Sequence, residues 1–81
     1  MSGDGDRTLG VVECFHIVLR QCPSGAVHQV AEQGLAAIER GGGEALAEQA
    51  FLLLSAARGW RGPRADQVKR SLEVFLAERQ A

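Results

Sequence analysis

"VAEQGLAAIERGGGEALAEQAFLLL", residues 30 to 54, holds two apolar segments around three consecutive glycines. Before the glycines, Val27, Val30, Ala31, Gly34 and Ile38 recur at spacings of three and four, with His28, Gln29, Glu32, Glu39 and Arg40 opposite them. That is the pattern of a one-sided amphipathic helix. Gly41 to Gly43 predict a stop with a left-handed cap. Glu44 then suits the positive start of another helix. The segments 30–38 and 46–54 echo one another at an offset of 16 residues. Solenoid repeats have longer periods and at least three copies, so the echo indicates two similar helices. Gly34 costs roughly 1 kcal/mol of helix propensity against alanine, which predicts a close helix–helix approach there.

The same punctuation extends outward in both directions. Thr8 caps a first helix running to Gln21, and Pro23 stops it. Ser24 is placed to cap the second, which reaches Arg40. The third runs from near Glu44 to Arg58, with Gly59 as its stop. The fourth begins around Pro63 to Ala65, with the proline tolerated in its first turn, and runs to about Arg79. No segment alternates with period two. The fold predicted is all-α, a small up-and-down bundle of about four helices joined by short turns. Residues 8–81 form its single helical domain, after a polar, glycine-rich and flexible tail, "MSGDGDR", at 1–7.

An 81-residue chain has room for one small core. Tyrosine is absent and the only aromatics are Phe15, Phe51, Phe75 and Trp60, so that core is mainly aliphatic. The net charge of −1 supplies no general attraction to nucleic acid or acidic membranes. Cys14 and Cys22, eight positions apart on one helix, would sit roughly 12 Å apart, too far to bridge. Free thiols, no secretory leader pattern and no apolar run long enough to span a bilayer predict an intracellular chain, cytoplasmic or nuclear, without membrane association.

The residue types that carry catalysis or metal binding are present, but not in working patterns. Cys14, His16, Cys22 and His28 match no zinc spacing, and Cys14 and His16 project from different sides of a helix. The cysteines are expected as small core residues and both histidines as solvent-facing. No nucleophile has a base and an orienting group at a workable spacing. The triple glycine follows a helix and lacks the lysine of a phosphate loop. The chain is therefore expected to be no enzyme, to bind no metal or cofactor and to act on no small-molecule substrate.

The apolar surplus points to another class. On the first helix Val11, Val12, Cys14, Phe15, Val18, Leu19 and Cys22 cover more than half the circumference. Leu9 and Ile17 lie beyond its polar strip. On the third, Leu46, Ala50, Phe51, Leu53, Leu54 and Ala57 form a broad core face, with Leu52 pointing away, and Val74 leaves the stripe of the fourth. Such patches mark partner surfaces. The function expected is a non-enzymatic protein–protein interaction module, an adaptor or assembly subunit. It would present an apolar helical face to another protein or to a second copy of itself through Leu9, Ile17, Leu52, Trp60 and Val74. The alternative is a small nucleic-acid-binding protein using Arg58, Arg61, Arg64 and Arg70 as contacts to an anionic ligand. Against it stand the acidic balance and an apolar third helix where a recognition helix would be polar. "ARGWRGPRA" at 57–65 is better explained as a turn, with Trp60 a lid over one end of the bundle.

Overall fold

The computed structural model describes residues 8–80. The tail expected at 1–7, like residue 81, lies outside the described residues. Four α-helices follow in order: α1 (Val11–Gln21), α2 (Gly25–Gly41), α3 (Gly43–Ala56) and α4 (Pro63–Gln80), with a 3₁₀ turn, Ala57–Gly59, extending α3. No strand occurs among the described residues. Each helix packs against the next and α4 returns to α1, closing a small all-α bundle.

The boundaries follow from particular residues. Cys22 is extended (φ −76°, ψ 129°), as the residue before a proline should be, and α1 ends there. The Ser24 hydroxyl accepts from the Val27 amide at 3.3 Å, capping α2. Gly62, at φ +120°, sets the approach to α4, whose first residue is Pro63. The start of α1 differs from expectation: Gly10 rather than Thr8 is its N-cap. Glu13 reaches back to accept from the Gly10 amide. The Leu9 amide is instead committed to the Ser71 hydroxyl of α4 at 2.9 Å, and Ser71 donates to the Gln67 carbonyl at 2.8 Å.

The turn between α2 and α3 is a single residue, Gly42, at φ +63° and ψ −147°. This is not the left-handed cap expected from the triple glycine. It is a region open essentially to glycine alone. Replacing Gly42 with alanine is expected to cost about 1–3 kcal/mol. Gly43, at a negative φ and with open space around it, should accept alanine at no cost. Urea denaturation of the two variants provides the comparison.

Gly34 has the close approach its position predicts. A Cβ there would collide with Cε2 of Phe15 and stand 3.1 Å from both Phe15 Cζ and Gln49 Oε1. The Phe15 ring is fully buried and seated on the α2 backbone. Leu53 of α3, Val68 and Leu72 of α4, and Val18 of α1 fill the rest of the centre, while α2 contributes the smaller Val27, Ala31 and Gly34. Large residues on one wall thus meet small ones on the other, the arrangement that gives dense packing.

Leu9 and Ile17 belong to this core. Each is only 4% exposed, which corrects the expectation that they form an outward patch. The reason is that α1 is packed on two sides. Phe15 meets α2, while the Cys14 thiol faces the Val68 carbonyl of α4 at 3.9 Å. A helix between two neighbours buries a wide arc, and the apolar excess of α1 is consumed inside.

Candidate functional site

The third helix does not consume its excess. Ala50, Leu53 and Ala57 define the side of α3 that is buried, with Leu46 half-buried on the same line one turn earlier and Leu54 half-buried at its margin. At about 100° per residue, Phe51 and Leu52 each lie far round the helix from that line. Phe51 is 58% exposed and Leu52 43%. Leu52 was expected to point outward. Phe51 was expected in the core, and its exposure corrects that. Between them on the outward arc come Glu48 and Ser55, with Glu44 one turn earlier and Arg58 just past the helix, all exposed.

Large exposed apolar side chains elsewhere stand one to a helix: Val12 on α1 and Val74 on α4. Val74 borders a groove of about 260 Å³ between α4 and the segment leading into α1, where Leu9 forms part of the floor. Only α3, among the described residues, carries two adjacent ones. An exposed phenylalanine is the costlier kind to leave in water, since aromatic side chains bury about 150–250 Å² each.

Trp60 is in a different place. It is half-buried against the core, where the two turns at one end of the bundle meet. Its carbonyl accepts from Lys69 Nζ at 2.7 Å, which ties the connector to α4. The ring helps wall a cleft of about 490 Å³ with Cys22, Ser24, Val27, Ala56 and Arg61. The cleft's chemistry is limited. Ser24 Oγ is engaged in capping α2. His28 was expected in solvent but is half-buried, with Nε2 bonded to the Cys22 carbonyl oxygen rather than the thiol. A carbonyl only accepts, so Nε2 carries the proton. His16 is exposed, as expected.

Both cysteines are free and buried. Burial, and secondarily the charge of Glu13, push the Cys14 thiol up to about 12. It is a thiol at physiological pH, the opposite of an activated nucleophile. Among the described residues no cluster of three or more potential metal ligands occurs, and no helix is long and apolar enough to cross a membrane.

The four arginines of the basic segment are not gathered on one face. Arg58 is exposed in the 3₁₀ turn that follows α3, and Arg61 stands at the cleft. Arg64 is partly buried and donates to Gln67 Oε1 at 2.7 Å. Arg70 is exposed six positions further along α4, about 120° round the helix from Arg64. Sequence proximity, not the fold, is what groups them. No family model matches the chain, and no curated protein or solved structure is significantly similar to it.

Proposed function

We propose that this chain is a non-enzymatic protein-interaction module, an adaptor or assembly subunit, that docks through the outward face of α3. The observation that carries the proposal is the 58% exposure of Phe51 beside the 43% exposure of Leu52. In a chain with four aromatic residues, one is held on the outside of a helix whose opposite side supplies Leu53 to the core. An apolar pair rimmed by Glu44, Glu48, Ser55 and Arg58 has the anatomy of a small interface, an apolar centre with a polar margin. The module acts inside the cell, where free thiols stay reduced.

The sequence-derived set of contact residues is thereby narrowed. Leu52 remains and Phe51 joins it. Leu9 and Ile17 leave it because they are buried, Val74 because it borders the groove on α4, and Trp60 because it is half-buried at the cleft just past the end of α3. The scattered arginines give no observation that favours nucleic-acid binding over this.

Replacing Phe51 and Leu52 together by aspartate is the test. Both are exposed, so the variant should keep the parent's helical circular dichroism and a cooperative melt, with a midpoint lowered by the covered part of Leu52 and the poorer helix propensity of aspartate. Binding to any stoichiometric protein partner, itself included, should weaken by at least about 100-fold, the effect of losing a central anchor. A folded double variant that forms every complex of the parent with unchanged affinity overturns the proposal.

A further inference from the structure

The charge pattern along the α3 face names its occupant. Glu44 lies seven residues before Phe51, and Arg58 lies seven residues after it. Glu44, Glu48, Phe51 and Ser55 of α3, and Arg58 in the 3₁₀ turn that extends it, advance by four, three, four and three, the spacing of a seam along one side of a helix. All five are exposed. The seam is acidic at its start, apolar at its centre and basic at its end. Turned end for end about Phe51, it is complementary to itself.

We infer that α3 pairs antiparallel with α3 of a second copy of this chain. This rests on the docking role proposed above for the same face. In a two-fold arrangement centred on Phe51, the two rings meet across the axis, and Glu44 of each copy comes level with Arg58 of the other. Two-fold symmetry makes every such contact occur twice, so one acid–base match per chain yields two in the dimer. A parallel pairing would instead set Glu44 beside Glu44 and Arg58 beside Arg58, which the charges oppose. A different protein would have to bring the complementary pattern; the chain already carries it.

The surface is small. A 14-residue helix is about 21 Å long, so two such faces bury less than the roughly 1,200 Å² of a standard stable interface. The dimer therefore dissociates on dilution, and its assembly is set by concentration.

Sedimentation equilibrium of the full chain from about 10 µM to about 1 mM reads the pairing, and charge reversal reads its direction. The parent should rise from 8.7 kDa toward twice that mass. Glu44→Arg and Arg58→Glu should each weaken association about tenfold, because two contacts turn repulsive. The combined variant should return to within about threefold of the parent. In mild oxidation, Glu44→Cys mixed with Arg58→Cys should give the mixed cross-link, with little of either self-linked product. A parent that stays at 8.7 kDa to 1 mM overturns self-pairing, as does efficient self-linking of Glu44→Cys, the mark of a parallel pair. Neither result decides the docking role. That role falls separately, if the folded Phe51→Asp/Leu52→Asp variant keeps all the parent's binding.

Discussion

Replacing Phe15 by alanine is expected to destabilise the bundle by about 3–5 kcal/mol, the range for removing a fully buried aromatic ring. Total stability for a small domain is about 5–15 kcal/mol, so a sizeable unfolded population should be visible at room temperature in dilute urea. The more informative result is the coupling with Gly34. In the parent, Gly34→Ala gains roughly 1 kcal/mol of helix propensity but drives a methyl into the Phe15 ring, and overpacking of that kind costs about 1–3 kcal/mol. With the ring absent, the collision is relieved, and only the 3.1 Å approach to Gln49 Oε1, the end of a flexible side chain, stands against the gain. Gly34→Ala should therefore be neutral to harmful in the parent and stabilising in the Phe15→Ala background. The expected coupling is at least about 1 kcal/mol in a double-mutant cycle followed by circular dichroism. Additive effects would mean that the ring does not rest on the α2 backbone.

Alkaline pH should expose the second large effect. In the unfolded chain the Cys14 thiol ionises near its ordinary value of 9.0, whereas in the bundle it holds its proton to about 12. Between those values the unfolded chain releases a proton that the folded chain retains, so stability must fall as pH rises. The contribution is fully present below pH 9 and disappears progressively from there to about pH 12. The slope from this one group approaches about 1.4 kcal/mol per pH unit at its steepest. Other groups also titrate in that range, so the comparison is with Cys14→Ala, which should show a shallower decline from pH 9 upward. Parallel declines in the two proteins would contradict the buried-thiol account. A thiol reagent at neutral pH should leave Cys14 unmodified in the folded chain and react with it once urea unfolds the bundle.

The secondary structure was largely legible because its signals are local. Pro23 and Ser24 end one helix and begin the next, and α4 opens at Pro63, within the range expected at 63 to 65. Gly34 could be assigned a close approach because no other benefit offsets its cost inside a helix. The triple glycine announced a turn, yet its geometry at Gly42 is tighter than a left-handed cap, since a single residue joins α2 to α3.

What the sequence could not supply is the number of neighbours each helix has. The excess on α1 and the excess on α3 look alike on a helical wheel. The first is buried because α1 lies between α2 and α4, and Leu9 is captured by a residue 62 positions away, Ser71. The second remains outside because Ala50, Leu53 and Ala57 already fill the inner side of α3. Choosing between Phe51 and Leu53 for the core requires the rotation of α3, which only tertiary packing sets. Phe51 looked like a core residue for that reason. The one signal that could have raised it is its place on the acid-to-base seam from Glu44 to Arg58.

A dilution series of two-dimensional ¹H–¹⁵N spectra, from about 1 mM to about 10 µM, tests most directly whether the outward face of α3 is where this chain associates. The resonances that move with concentration should be those of residues 44 to 58, largest around Phe51, while the amides of α1 and of Cys22, Ser24 and Val27 on the far wall of the cleft stay fixed. Concentration-dependent shifts centred on Val12, Val74 or Trp60, with α3 unmoved, would contradict the account.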